Sequence, residues 1–214
     1  MNKTISFIAL MTVLNILSIK GQNNTRELPQ KAKPQTNQSY QKMTENKKSL
    51  VVYFSRADEN YNVGYIEKGN TEIVAELIAA ETSADLFHIE PVTPYPADYD
   101  QCTKVAQKER REKARPEIKG DKKIEDYDVI FIGYPNWWGD MPMPVYTFIE
   151  RHDWHGKTVI PFCTHEGSGL SQTETYIRRA CVRATVYSGL AVRGTDAQKS
   201  TPKVKTVVKE WLNK

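Results

Sequence analysis

Two continuous apolar runs predict strands that are buried on both faces of one sheet. Residues 50–54 and 129–132 are apolar throughout and lack the alternation of apolar and polar positions that marks a half-exposed strand. Gly133 and Pro135 end the second run, because both residue types interrupt regular structure. The two runs are therefore predicted to be central strands.

Strand and helix patterns alternate along the rest of the chain. Further strands are predicted at residues 86–89, 158–163 and 184–192, the last of them interrupted around residues 188–189. Helices are predicted to open at Gly69-Asn70-Thr71 and to span residues 98–114, 144–151, 170–180 and 202–212, with loops at residues 57–68 and 92–99. This order is typical of an α/β fold: a three-layer sandwich whose five-stranded parallel sheet lies between two layers of helices.

Residues 1–21 have the pattern of an export signal. Lys3 supplies a positive charge, and residues 5–17 form an apolar run that is shorter than the roughly 20 residues of a membrane span. We expect cleavage near Gly21 and an exported, periplasmic protein without a stable membrane span; the alternative is an uncleaved membrane-anchor helix. Residues 22–48 are rich in Asn, Gln, Lys, Thr and Pro, which is typical of a disordered linker. The folded domain is predicted to span residues 49–214.

The positive net charge belongs to the leader and the linker. The chain has 30 Lys and Arg against 26 Asp and Glu. Eight of the basic and two of the acidic residues precede Ser49, so 22 basic and 24 acidic residues remain in the predicted domain. No basic face interleaved with aromatic residues is present in the sequence, and we therefore expect no nucleic-acid partner.

The cysteine pattern does not predict a metal site. Cys102, Cys163 and Cys181 lie far apart in the sequence and lack the C-x-x-C spacing of metal ligands. An exported protein could pair two of them and leave the third free, but buried free thiols are the favoured interpretation.

Three loops are predicted to leave the sheet at the same edge, because the carboxyl ends of parallel strands lie together. They span residues 55–71, 135–140 and 164–169. In the first, Ser55 offers a hydroxyl and Gly69-Asn70-Thr71 offers free N–H groups at a helix start, a combination that stabilises an anion. Neither a Walker motif nor G-x-G-x-x-G is present, and any capped helix could show the same residues.

The other two loops carry aromatic and small residues. Trp137 and Trp138 suit a flat aromatic ligand, although a hydrophobic plug or a partner surface would use them as well. The loop at residues 164–169 has small residues and exposed backbone that could bond the edge of a heterocycle. Together the three loops predict a planar heterocycle that bears a phosphate.

Four segments carry a resemblance to a known family. They are Val52-Tyr-Phe-Ser-Arg56, Gly69-Asn-Thr71, Gly133-Tyr-Pro-Asn-Trp-Trp-Gly139 and Thr164-His-Glu-Gly-Ser-Gly169. As an ordered set, they resemble the bacterial flavodoxins. The resemblance implies the strand order 2-1-3-4-5, with FMN bound at the switch point between strands one and three. The sequence departs from typical flavodoxins by the insertion of residues 57–68 and by lacking a strongly acidic surface.

The resemblance also implies roles for individual residues. The first loop would hold the phosphate, one or both tryptophans would flank the flavin ring, and Gly139 would permit a peptide flip near the flavin. Backbone groups of the other two loops would meet the polar rim of the ring. The expected cofactor-binding residues are Ser55, Arg56, Gly69, Asn70, Thr71, Pro135, Asn136, Trp137, Trp138, Gly139, Thr164, Glu166, Gly167, Ser168 and Gly169.

Three functions are compatible with these residues. The first is an electron carrier with a redox partner protein or a small-molecule electron donor or acceptor. The second is an FMN-dependent NAD(P)H or quinone oxidoreductase, in which His165, Tyr134 or Tyr95 would donate a proton. The third is a hydrolase with Ser168 as nucleophile and His165 or His152 as base, although Ser168 is not in a G-x-S-x-G motif.

Overall fold

The two apolar runs pair as neighbouring strands in the structure, a computed structural model in which residues 39–214 are described. In chain order the strands are β1 (Ser49–Tyr53), β2 (Asp58–Asn60), β3 (Gly64–Ile66), β4 (Asp85–His88), β5 (Val129–Pro135), β6 (Thr158–His165), β7 (Thr185–Val186) and β8 (Leu190–Arg193). The helices are α1 (Tyr40–Thr44), α2 (Asn70–Thr82), α3 (Tyr99–Glu112), α4 (Met143–Glu150), α5 (Thr173–Ala180), α6 (Gly194–Lys199) and α7 (Thr201–Leu212).

The main sheet is parallel and has the order β4-β1-β5-β6-β7, with β8 also paired to β6. The strands β7 and β8 share the last position and are separated at residues 187–189. The sheet therefore confirms the α/β class and the order 2-1-3-4-5, and its last strand is interrupted where the sequence predicts.

Helices cover both faces of the sheet, which explains why the central strands are apolar without alternation. Leu50 and Val52 of β1 belong to the cluster that α4 and α5 complete on one face. Val51 and Tyr53 belong to the cluster that α1, α2 and α7 complete on the other face. Neighbouring residues of one strand thus enter opposite cores.

Gly133 lets β5 and β6 pack closely at the end of the sheet that carries the predicted loops. It pairs with Phe162 in the parallel register, and a Cβ at position 133 would lie 2.1 Å from the Phe162 ring. Any larger residue would therefore displace the ring.

The inserted segment after β1 forms a hairpin, so the prediction of a loop at residues 57–68 is wrong in part. The strands β2 and β3 pair in antiparallel fashion, and Asn62 in the turn has a positive φ of 61°. Each strand has only three residues, and β2 reads Asp-Glu-Asn, which has no apolar alternation. The hairpin depends on contacts with a distant loop, which no local pattern reveals.

The predicted disordered linker is wrong at its carboxyl end. Ser39 caps α1 by accepting a hydrogen bond from the N–H of Lys42, and the ring of Tyr40 is buried against Trp211 and Tyr187. The Tyr40 hydroxyl donates to the carbonyl of Ser188 over 2.9 Å. The predicted signal at residues 1–21 and the rest of the linker lie outside the described residues. Within residues 39–214, no helix is long and apolar enough to cross a membrane.

Replacing Tyr40 tests whether α1 is part of the folded domain. We expect Tyr40→Ala to lower the free energy of unfolding by about 3 kcal/mol, because a buried aromatic ring leaves a cavity behind. Gln41→Ala, at an exposed position of the same helix, should change it by less than about 0.5 kcal/mol. Urea unfolding of both variants measures this, and equal midpoints would show that the domain does not need α1.

Candidate functional site

The loops that follow β1, β5 and β6 meet at one edge of the sheet, as the parallel pairing requires. They enclose a cleft of about 270 Å³, which we call the main cleft. Its lining residues are Asn60, Tyr61, Asn70, Tyr99, Pro135, Asn136, Trp137, Thr164, His165, Glu166 and Ser168. The structure therefore brings together residues from all three loops that the sequence singles out.

One end of the main cleft lies beside the start of α2, where donors are available for an anion. The Ser55 Oγ accepts a hydrogen bond from the N–H of Glu72 over 3.1 Å. A Cβ at Gly69 would lie 2.1 Å from the Ser55 Oγ, so only glycine allows this approach. Among the described residues, no protein group accepts from the N–H of Asn70 or Thr71. These two donors and the helix dipole favour a negative group there.

The side chains of Asn70 and Thr71 are already bonded within the protein. The Thr71 hydroxyl lies 2.7 Å from the hydroxyl of Thr164, and both residues are buried. The Asn70 Oδ1 accepts from the Gln198 Nε2 over 2.9 Å. The Thr71 hydroxyl and the Asn70 Oδ1 are therefore engaged, and both residues offer their backbone N–H groups to a ligand.

The loop after β5 ends in a tight turn at residues 137–140, which we call the Trp turn. Trp137 and Asp140 exchange two backbone hydrogen bonds, of 2.8 and 3.1 Å. Trp138 and Gly139 occupy the central positions with φ of 58° and 77°, the geometry of a type I′ turn. Tryptophan in this left-handed conformation costs about 1–2 kcal/mol of backbone strain.

Asn136 ties the Trp turn to the loop after β6. Its Oδ1 accepts from the N–H of Gly139 over 3.0 Å, and its Nδ2 donates to the carbonyl of Gly169 over 2.8 Å. Asn136 also donates its own N–H to the carbonyl of Thr164 over 2.8 Å. The two sides of the main cleft are thus held at a fixed separation.

The two tryptophans occupy different environments. Trp137 is partly buried, packs edge-on against Phe54 and Tyr95 at ring distances of 5.4 and 5.1 Å, and lines the main cleft. Trp138 is 51% exposed and is not among the residues that line the main cleft. Trp137 is therefore the indole placed to cover a flat ligand in the main cleft.

Arg56 does not join the anion-binding end, contrary to its expected role in binding the cofactor. Its guanidinium donates to the carbonyls of Glu59, Pro96 and Ala97 over 2.6, 2.7 and 2.6 Å. These bonds use the charged group to hold the β2–β3 hairpin against the loop after β4.

The loop after β6 offers backbone groups while its acidic side chain is occupied. The Glu166 Oε1 accepts from the N–H and the hydroxyl of Thr195 over 2.6 and 2.8 Å, which caps the start of α6. Gly167 and Gly169 have positive φ values of 130° and 58°, and Ser168 is exposed. The expected contact of this loop with a ligand rim is therefore limited to its backbone and to Ser168.

Two of the three expected proton donors are occupied by protein partners. The Tyr134 hydroxyl donates to the Thr173 Oγ1 over 2.8 Å in the core, and the Tyr95 hydroxyl donates to the Glu109 carboxylate. Burial is the main reason why the pKa of each tyrosine is raised well above its ordinary value. Neither tyrosine is placed to give a proton to a ligand.

His165 is the candidate proton donor that faces the main cleft. Its Nδ1 accepts from the N–H of Gly167 over 2.8 Å, so the Nε2 carries the proton of the neutral ring. Burial, together with the nearby Arg193, lowers the pKa of His165, and Glu166 partly opposes this shift. The imidazole is therefore held as a neutral hydrogen-bond donor.

The hydrolase arrangement is not assembled. His152 follows α4 and packs against Phe148 at a ring distance of 4.6 Å. It precedes β6 in the chain, whereas the loop that holds Ser168 follows β6 and leaves the sheet at the opposite end of that strand. The His165 Nδ1 is bonded to Gly167 rather than to Ser168.

All three cysteines are buried and free, as favoured from the sequence.

Three residues that line the main cleft are not among the expected cofactor-binding residues. Asn60 and Tyr61 come from the inserted hairpin, and Tyr99 opens α3 after β4. The rings of Tyr61 and Tyr99 stack at 5.9 Å. The sequence could have indicated Tyr99, because the loop after β4 also leaves the sheet at its carboxyl edge.

The titration of His165 provides a test of this geometry. Because the pKa of His165 is lower in the folded state, the unfolded chain binds more protons below pH 6.5. The contribution of His165 to the free energy of unfolding is therefore complete above pH 6.5. It is lost as the pH falls towards the folded pKa. We expect Arg193→Ala to raise the pKa without restoring 6.5, because burial is the larger cause, and Arg193→Lys to leave it nearly unchanged. NMR titration of the imidazole measures this, and a wild-type pKa at or above 6.5 would contradict it.

Comparisons with known proteins agree with the fold. A family model described as flavodoxin matches residues 48–214. A search of curated proteins finds no match. A solved structure of a candidate flavoprotein from Bacteroides eggerthii is 31% identical with a TM-score of 0.60, and the match covers 79% of this chain and 100% of that one.

Two further solved structures are similar in fold. A candidate flavoprotein from Bacteroides uniformis is 29% identical with a TM-score of 0.59, and the match covers 76% of this chain and 98% of that one. A flavoprotein from Lactobacillus acidophilus, solved in complex with FMN, is 23% identical with a TM-score of 0.55, and the match covers 77% of this chain and 98% of that one. The main sheet has the strand order that the resemblance to flavodoxins implies. Because the family model matches residues 48–214, which is most of the chain, the chain belongs to the flavodoxin family.

Proposed function

We propose that the protein binds FMN without a covalent bond and carries electrons through it. The observation that carries this proposal is the convergence of three features in the main cleft: free N–H groups at the start of α2, the Trp137 ring, and the backbone of the loop after β6. These three features match a planar ring with a phosphate tail. The FMN complex of the similar Lactobacillus acidophilus flavoprotein supports the choice of cofactor.

The residues present fit FMN at both of its ends. The phosphate would lie against the N–H groups of Asn70 and Thr71, with the Ser55 hydroxyl as a further donor, since the Ser55 Oγ only accepts from Glu72 within the protein. The absence of a Cβ at Gly69 keeps this turn closed around Ser55. Trp137 would cover one face of the ring and exclude water from it.

When bound, FMN supplies one- and two-electron redox chemistry. The contribution of this chain is orientation and electrostatics. Among the residues that the structure describes, no Lys or Arg side chain lines the main cleft, and Trp137 and Tyr99 make its wall aromatic. A wall of this kind disfavours added negative charge on a ligand, because unpaired charge is costly in a low dielectric. We therefore expect a low reduction potential.

A second candidate function, an FMN-dependent oxidoreductase for small substrates, is favoured by His165. Its neutral Nε2–H could donate a hydrogen bond to a reacting oxygen at the main cleft and polarise it. Steady-state oxidation of NAD(P)H with quinone acceptors distinguishes an enzyme from a carrier that exchanges electrons only with a partner protein.

We also propose that the protein is exported and acquires its flavin outside the cytoplasm. The support is Lys3 and the apolar run at residues 5–17. Fractionation of cells should find flavin-loaded protein in the envelope fraction, and holoprotein found solely in the cytoplasm would count against export.

The phosphate site is tested by comparing FMN with riboflavin, which lacks the phosphate. We expect Ser55→Ala to weaken FMN binding by about tenfold, because it removes one donor to a charged group, and to leave riboflavin affinity unchanged. Fluorescence titration of both flavins measures this. Equal losses for the two flavins would show that Ser55 acts on the ring or on the fold instead.

The ring site is tested by separate replacement of the two tryptophans. We expect Trp137→Ala to weaken FMN binding by more than about tenfold, and Trp138→Asn to change it by less than about threefold. Asparagine is the matched choice at position 138 because Asn-Gly is favoured in a type I′ turn. Unchanged affinity and unchanged tryptophan quenching in both variants would rule out a flavin at this site.

A further inference from the structure

A separate cleft lies between the loop after β4, the helix α3 and the segment that follows α3. We call it the proline cleft, because Pro91, Pro94, Pro96 and Pro116 line it. Its volume is about 540 Å³, against about 270 Å³ for the main cleft. Among the described residues, none lines both clefts. The proline cleft is therefore a site of its own, and its volume lies within the roughly 300–1,000 Å³ of small-molecule sites.

Hydrogen bonds fix the two walls of the proline cleft relative to each other. The N–H of Val92 donates to the carbonyl of Glu117 over 2.8 Å, and the N–H of Lys119 donates to the carbonyl of Glu90 over 2.7 Å. Both bonds join the loop after β4 to the segment after α3. The four prolines add stiffness, because the ring of each one fixes its φ. The cleft is thus preorganised, which lowers the entropic cost of binding a ligand.

Much of the lining of the proline cleft is apolar surface that stays in contact with water. Val92 and Val105 are 46% and 36% exposed, and the prolines and Ala114 continue this surface. Covering such a surface with an apolar group is favourable. The cleft therefore favours a ligand that has an apolar body.

The charged groups of the proline cleft carry a negative balance. They are the carboxylates of Glu109 and Glu117 and the guanidinium of Arg115. Arg115 keeps its positive charge and donates from Nε and Nη2 to the Glu150 carboxylate, over 2.7 Å in each case. With Arg115 counted in full, the two lining carboxylates still outnumber it, and the Glu150 carboxylate adds a third negative group. The charge of the cleft therefore favours a cation.

Glu109 is the carboxylate that lacks a basic partner. It accepts a hydrogen bond from the Tyr95 hydroxyl, and within the described residues no Lys, Arg or His side chain forms an ion pair with it. The neighbouring Arg110 lies instead 3.6 Å from the Asp140 carboxylate. Burial raises the pKa of Glu109, and the hydrogen bond from Tyr95 partly opposes this shift. A half-buried carboxylate of this kind is stabilised by a ligand that supplies the missing positive charge.

We propose that the proline cleft binds a small organic cation, an amine whose ammonium group pairs with Glu109 and whose apolar body covers Val92 and Val105. A divalent metal ion is a poorer match, because the described residues contain no group of three or more His, Cys, Asp or Glu that could hold one. An anion would meet two carboxylates. The proposal goes beyond the proposed function and does not rest on it, since the two clefts are lined by different residues.

The test titrates three probes with the same apolar body into the full-length protein: phenylpropylamine, phenylpropanol and phenylpropionate. At neutral pH they present an ammonium, a hydroxyl and a carboxylate. We expect saturable binding of the amine by calorimetry, with the alcohol at least about tenfold weaker and the carboxylate weaker still, because charge-assisted hydrogen bonds are the stronger ones. Equal affinities for the three probes, or an amine that does not bind, would overturn the proposal.

Replacing Glu109 tests which carboxylate holds the amine. Glu109→Gln removes the charge and keeps an oxygen that accepts from the Tyr95 hydroxyl. It should weaken amine binding by about tenfold and leave the alcohol unchanged. Glu112→Gln is the matched control, because Glu112 is an exposed residue of the same helix that does not line the cleft. Equal losses in the two variants would show that net charge alone matters, and the site would be wrong.

A second variant places a competing ammonium group in the cleft without changing Glu109. Val105 lies one helical turn before Glu109 and lines the cleft, so the side chain introduced by Val105→Lys can reach the carboxylate. We expect amine binding at least about tenfold weaker in Val105→Lys and within about threefold of wild type in Val105→Gln. Unchanged binding in Val105→Lys would contradict the proposal. Saturation with FMN should leave amine affinity unchanged, whereas displacement of the amine would place it in the main cleft and overturn the proposal.

Discussion

Parallel pairing of β1 with β5, and of β5 with β6, is the constraint on which the rest of the site depends. It brings the carboxyl ends of three strands to one edge, so that the loops after β1, β5 and β6 lie together although they are far apart in the chain. The pairing is maintained because both faces of these strands are buried under helices. The position of the site is therefore a consequence of the burial of the central strands.

Polar contacts between loops then convert proximity into a defined cleft. The Thr71–Thr164 hydroxyl pair joins the start of α2 to the end of β6, and Asn136 joins the Trp turn to the loop after β6. Glu166 reaches further and caps α6. Since each contact uses a side chain that the resemblance would assign to a ligand, the chain offers mainly backbone donors and aromatic surface to its cofactor.

The inserted hairpin is the feature that distinguishes this member of the family from a flavodoxin with a short phosphate loop. Arg56 and Glu59 attach it to the loop after β4, through the carbonyls of Pro96 and Ala97 and the N–H of Tyr99. The attachment closes one side of the main cleft with Asn60 and Tyr61. An insertion that looks like a simple loop in the sequence thus forms part of the wall of the main cleft.

The sequence by itself determined the layers, the parallel sheet and the edge at which the site lies. Those features follow from apolar runs, from alternation of elements and from the Gly-Asn-Thr helix start, all of which are local patterns. The tertiary structure alone decided that Arg56 anchors a hairpin, that Tyr95 and Tyr134 have protein partners, that Tyr40 belongs to the core and that Trp137 rather than Trp138 lines the main cleft. These outcomes depend on hydrogen-bond partners and packing neighbours that are distant in the chain, and a residue type does not reveal which partner will saturate it.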